Sequence, residues 1–275
     1  MKSFYFGFYF GIISLKRKVR RVFKEITMKS LLKIVLFATL AAGVFTGSAN
    51  ADPFEDFKTQ IQAQGKALLK PFIEDVGGLI GGADFNSGRA LGFPGFDVGI
   101  AATMQSKPNS NNRILRDADV KAFGLPLVQA SAGLPVVGAD IALRAITVSG
   151  FSIIGGGARK SVLKSGTLTK FIPDVSVSAF YDVISYDYFK GSHMSFDAAA
   201  SFDMPVIKPF IGVGLDRTKL EVKNVTGLSG VDAAISKPRY TLGVKFSPLP
   251  LLYVYGAYSS LHGQSGYQAG LGARF

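Results

Sequence analysis

Eight charged side chains share a face with glycine, serine or threonine rather than with their apolar neighbours: Asp97, Arg144, Asp182, Asp197, Asp216, Arg239, Lys245 and Arg274. On the polar side of two-faced segments such charges either line a conduit for small solutes or neutralise one another in a network that holds a wall together. A second candidate chemistry is acyl hydrolysis. "LHGQSG" places His262 three residues before Ser265, with His193 elsewhere, and a serine with a histidine in hydrogen-bond reach is the start of a nucleophilic site. Both histidines fall on expected outer loops, where the plainer reading is a solvated side chain, so no enzymatic activity is expected. "GGGARKS", residues 155–161, has Arg159 where a phosphate loop needs its second glycine and lies inside a strand pattern. Its glycines read as relief for close packing within a strand. With no cysteine and two separated histidines, no metal-ligand cluster and no cofactor is expected; scattered loop aspartates would hold calcium only weakly.

Side chains so spaced need walls, and from Gly95 onward the hydrophobic period is two. "GFDVGIAATM" sets Phe96, Val98, Ile100, Ala102 and Met104 against Asp97, Gly99, Ala101 and Thr103. "DVSVSAFYDV", "MSFDAAASFD", "FIGVGLDRT" and "RYTLGVKF" alternate the same way, each about the length of a two-faced strand. Weaker patterns at 123–132, 139–147, 151–163 and 251–261, with the final "GYQAGLGARF", bring the expected number to ten. An even number closes an antiparallel membrane barrel with both ends on one side. The fold class expected is therefore all-β, an antiparallel transmembrane β-barrel preceded by an amphipathic helix. The last strand pairs with the first, sending Tyr267, Leu271 and Phe275 toward lipid and Gln268 and Arg274 toward the lumen. Tyr186, Tyr188, Tyr253, Tyr258 and Tyr267 fall near strand ends, where an aromatic girdle would lie. The joints are expected to sort by parity. Short ones such as "MPVI" and "SPLP" alternate with long polar ones, "SKPNSNNRILRDADV" and 220–237, as inner turns and outer loops do. Arg113, Arg116, Lys121 and Lys223 on those loops are candidates for lipopolysaccharide phosphates.

The barrel region, 94–275, follows a segment at 52–93 in which Phe54, Phe57, Ile61, Leu68 and Phe72 fall within roughly 60° on a helical wheel. This predicts an amphipathic helix that plugs the lumen or sits at the periplasmic mouth. Pro71 should kink it or start a second piece, and the glycines at 77–82 should end it.

The formal charge of +12 resembles a nucleic-acid signature but is concentrated at the wrong end. Residues 1–51 hold nine Lys or Arg and one acid, leaving 22 bases against 18 acids after them, too mild a balance to argue for a polyanion. Residues 28–51, "MKSLLKIVLFATLAAGVFTGSANA", have the basic start, apolar core and small-residue end of a cleaved secretory signal, with Ala49 and Ala51 at the cut. Residues 1–27 precede an already complete signal and read as an upstream start or extension.

An exported chain of two-period strands ending in phenylalanine resembles the outer-membrane β-barrels of Gram-negative bacteria. The resemblance implies that Tyr267, Leu271 and Phe275 form part of the signal read by the barrel-assembly machinery, with periplasmic chaperones as transient partners and lipid and lipopolysaccharide as permanent ones. The helical segment, "FNSGRALGFPGFDVGI" and "GGGARKSVLKSGTLTKFIPDVSVSAFY" are similar in layout to the long-chain fatty-acid transporter-like family, which takes up hydrophobic compounds through a plugged barrel. Asn86-Ser87-Gly88 stands nearest to that family's Asn-Pro-Ala plug motif. The resemblance implies a channel or transporter for small or hydrophobic molecules; the alternatives are a structural or surface-binding barrel and an outer-membrane lipid hydrolase.

Overall fold

A computed structural model describes residues 57–120, 123–135, 138–148, 150–166 and 172–275. The expected signal segment with Ala49 and Ala51, the upstream 1–27, and Phe54 lie outside them.

Ten strands close into one antiparallel barrel: β1 (Phe96–Gln105), β2 (Phe123–Leu134), β3 (Ala139–Val148), β4 (Phe151–Leu163), β5 (Asp174–Ser185), β6 (Phe189–Ser201), β7 (Ile207–Val222), β8 (Asp232–Phe246), β9 (Leu252–Leu261) and β10 (Gln264–Arg274). The first and last strands pair in register, Ile100 opposite Leu271 and Met104 opposite Tyr267. Backbone bonds between Phe96 and Phe275, at 2.9 and 2.7 Å, carry the seam to the terminal residue, so no sheet edge is left open along it.

Period two decides which face goes where. On β5, Val177, Tyr181 and Val183 are exposed while Ser176, Ser178, Phe180 and Asp182 are buried. On β8, Tyr240, Leu242, Val244 and Phe246 are exposed while Arg239, Thr241 and Lys245 are buried. An apolar outside around a charged inside inverts a water-soluble barrel and matches a wall that faces hydrocarbon. At ~3.3 Å per residue and ~40° tilt, a ten-residue strand spans about 25 Å, the height of that apolar band. Gly155 and Gly157 on β4 leave the room that Asp182 and Phe180 occupy, so "GGGARKS" is strand throughout.

The connections depart from the expected parity. At the end where β1 begins and β10 finishes, the closing end, they run 135–138, 164–173, 202–206 and 247–251; at the far end they run 106–122, 149–150, 186–188, 223–231 and 262–263. Three far-end joints are tight turns. The supposed loop at 220–237 is half strand, because β7 and β8 pair out to Glu221 opposite Asp232 and leave only 223–231 as the connection. Polar residues there suggested a loop, but polar side chains on both faces also suit strands that project past the hydrocarbon. The 106–122 connection contains a short helix, Arg113–Asp117, capped by the Asn112 side chain, which accepts from Leu115 N.

Ahead of the barrel come α1 (Phe57–Gln64), one 3-10 turn (Gly65–Leu68) and α2 (Leu69–Gly81); the Arg113–Asp117 helix is α3. The break falls at Gly65, whose φ of +70° favours glycine, and the second piece then starts around Pro71, as one of the two expectations had it. Pro71 sits in the first turn of α2, where its backbone nitrogen has no helical partner to lose. The glycine run at 77–82 ends the helix as expected, at Gly81 with Gly82 as its cap residue, while Gly77 and Gly78 within it pack against Thr218, Leu261 and His262. Helix α2 touches β1, β2, β6, β7, β8 and β9, so it stands in the lumen. Leu69, Phe72, Ile73, Val76, Leu79 and Ile80 are buried there.

Candidate functional site

The eight charged residues singled out from the sequence all point inward, and three of them, Arg144, Arg239 and Lys245, bond the segment that follows α2. Arg144 on β3 grips Asp182 on β5 with two bonds of 2.7 and 2.6 Å, and its Nη1 donates to Asp84 Oδ1 at 2.5 Å. Arg239 on β8 donates from Nε to Asp216 at 3.1 Å and from Nη2 to Asp197 and to Asp84 Oδ2, each at 2.7 Å. Both guanidiniums are fully buried and lie over rings, Arg144 above Phe180 at 4.4 Å and Arg239 above Phe85 at 5.5 Å. In the ring order β3 and β8 stand five strands apart of ten, on opposite walls. A single carboxylate, Asp84, therefore joins the two walls across the lumen. Gly81 lies against the Asp216 carboxylate and Arg239, where a Cβ would collide.

His262 completes this layer. Its Nδ1 lies 2.8 Å from the Glu74 carbonyl and its Nε2 2.9 Å from Asp216 Oδ2, so the ring ties α2 to the wall. Ser265 turns outward and bonds Tyr258 Oη at 2.9 Å, so the expected His262–Ser265 pair is split between inside and outside. His193 is not on a loop either: it faces inward on β6, with Nδ1 2.9 Å from Thr218 Oγ1. Asp84, His193 and Asp216 offer ligand atoms within 4.8 Å of one another. Both carboxylates are already engaged by guanidiniums, so the cluster is an ion-pair layer and a poor cage for a cation.

Below this layer the chain descends to the closing end, bonded at each step. Asn86 accepts from Lys245, whose Nζ lies 4.2 Å above the Tyr253 ring. Gly88 N donates to Ser201 Oγ at 3.0 Å, Arg89 pairs with Asp203, and Asp140 accepts from Leu91 N at 2.8 Å. Beside the exit, Asp97 takes 2.8 and 3.0 Å bonds from Tyr253 and Arg274.

At the far mouth the helices are held otherwise. Phe57, Phe72 and Phe189 form a triangle with ring centres 5.0 to 5.4 Å apart. Ile61 and Leu68, also expected on the plug face, are buried in the same core. Asp75 accepts from Gln105 Nε2 at 2.7 Å, Asn112 Nδ2 at 2.6 Å and Asn109 N at 2.9 Å, clamping α2 to the 106–122 connection. Burial, only partly offset by those donors and reinforced by adjacent Glu74, pushes the Asp75 carboxyl up to about 6.

Asp84 and Asp75 are the residues that sequence patterning missed. Each lies outside any strand period. For Asp84 the available signal was an acid shortly after a glycine pair, "GGADF", ahead of strands whose polar faces carry arginine.

A closed, even-stranded antiparallel barrel with an apolar exterior and a charged interior is an outer-membrane β-barrel. No family model and no curated relative matches the chain. Solved structures similar to it are barrels of that class. The N-terminal β-barrel domain of Pseudomonas aeruginosa OprF is 15% identical over 65% of this chain and 97% of that one, with a TM-score of 0.33. Ail, the attachment invasion locus protein of Yersinia pestis, is 12% identical over 66% and 97%, with a TM-score of 0.26. The KdgM porin is 7% identical over 65% and 99%, with a TM-score of 0.33. Likeness at this level is one of fold; the named neighbours give the long-chain fatty-acid transporter resemblance no support.

Proposed function

We propose that this protein is a sealed outer-membrane barrel, closed by its own N-terminal segment, and not an open pore. One observation carries the reading: the lumen is occupied along its length by α2 and the irregular segment after it, cross-linked to opposite walls through Asp84. Ten strands leave little more space than the eight that side chains alone can fill, and here a helix takes it. The protein then serves the outer membrane as a structural or surface-binding barrel without enzymatic activity, its far-end Arg113, Arg116 and Lys223 offered to lipopolysaccharide phosphates. Liposome swelling tests this. Proteoliposomes of the refolded full chain should swell no faster in small sugars than protein-free ones; rapid swelling would refute the seal.

A second reading, solute transport gated by withdrawal of the plug, draws on one feature. Thr103 Oγ1, Gln105 Oε1, His193 Nε2, Ser195 Oγ, Arg239 Nη1 and Gln268 Oε1 have no protein partner among the described residues. These groups line the wall on the plug side and suit a hydrated seam. Swelling that appears only when Asp84 is replaced would favour gating.

A further inference from the structure

The N-terminal segment crosses the barrel once, in one direction. Helix α1 lies across the far mouth: Lys58 Nζ sits 5.7 Å above the ring of Tyr188 in the 186–188 turn, and Gln64 Oε1 accepts from Arg113 at 3.2 Å. Thr59 and Gln62 on it, and Lys66 in the 3-10 turn after it, are exposed. Glu74 reaches Lys237 at 3.2 Å and the 262–263 turn through His262, still near the far end. Asp84 marks the middle. Arg89 and Leu91 then meet Asp203 and Asp140 at the closing end, and β1 begins at Phe96 beside Phe275. Between these ends α2 fills the lumen with buried Leu69, Phe72, Ile73 and Ile80, and Asp84 ties its opposite walls.

We infer that the segment from α1 to β1 is threaded through the barrel so that α1 lies on the membrane face opposite the barrel's C-terminus, the outer surface of the cell. The longest connection, 106–122, lies at that far end, as outer loops do in bacterial barrels. Helix α1 is thus presented outside while the barrel anchors it. Because Asp84 bridges β3 and β8, the segment must enter before β10 closes on β1. This threading goes beyond the sealed-barrel reading and does not depend on it.

The chain has no cysteine, so single cysteines report position without background. Full-length Thr59→Cys and Asn111→Cys at the far end and Leu249→Cys at the closing end, all exposed sites, would be expressed in Gram-negative cells. Each would be checked for the heat-dependent gel shift of a folded barrel. A membrane-impermeant maleimide should label Thr59→Cys and Asn111→Cys on intact cells, and Leu249→Cys at least tenfold more after the outer membrane is permeabilised. Thr59→Cys labelling in step with Leu249→Cys would overturn the threading. Thr59→Cys and Asn111→Cys both waiting for permeabilisation would overturn display on the outer surface. Neither result bears on conductance, so the seal and the threading fail separately.

Discussion

The middle of the lumen and its far mouth hold one continuous segment to one wall by different physics. In the middle, Asp84 meets two buried guanidiniums, each of which also meets wall carboxylates. At the mouth, a ring triangle and the neutral donors around Asp75 do the holding. A buried ionic layer is unforgiving, since removing one partner leaves uncompensated charge in a low-dielectric interior. An aromatic contact loses area and leaves a cavity, an effect that stays local. The middle should therefore set whether the barrel folds, and the mouth should set whether α1 stays down.

The largest effect tests that division. Asp84→Ala strips both arginines of a shared counter-charge and should destabilise the whole barrel by about 3–5 kcal/mol, read as a lower urea midpoint of the heat-resistant band in detergent. An unchanged midpoint would mean that Asp84 holds nothing. Phe72→Ala should weaken the mouth by about 3 kcal/mol. Its signature is trypsin cleavage at Lys58, Lys66 or Lys70 while the band keeps its folded mobility; loss of the band would erase the distinction between the two regions.

The third effect depends on pH. The Asp75 carboxyl rises from 3.8 unfolded to about 6 folded, so the folded protein binds the extra proton. The clamp is fully stable below about pH 4 and loses stability as pH rises through 6. The loss reaches about 3 kcal/mol, each tenfold change in proton affinity being worth about 1.4 kcal/mol. Asp75→Asn should flatten the dependence of trypsin sensitivity between pH 4 and 7, and a variant that keeps the wild-type slope would place the titration elsewhere. The smallest effect comes from the rim, where Lys190 and Glu221 pair at 3.1 Å with Lys190 largely exposed. Lys190→Ala should change stability by under about 0.5 kcal/mol; a larger loss would show that charge at the rim counts as charge in the lumen does.

The two regions also differ in how far sequence alone reveals them. Strand faces obey a period of two, so Arg144, Asp182, Asp197, Asp216 and Arg239 could be assigned inward and the closing pair β1–β10 named from residues alone. Asp84 could not, because it lies on irregular chain whose neighbours are set only once the barrel has closed around it. Pro71 could be named as the start of a second helix because a proline in a first helical turn loses no bond, whereas the break itself, at Gly65, depends on a positive φ that the helical wheel does not show. His262 turned inward because a two-residue turn, with His262 itself at φ +54°, aims its side chain by geometry that no spacing rule carries. The expected loop at 220–237 became strand because its partner was 16 residues of β7 rather than ten or so.

The seal itself is tested most directly by planar-bilayer recording of the purified full chain beside Asp84→Ala. The full chain should give no conductance steps above background; stable, repeated steps from the intact protein would contradict the account.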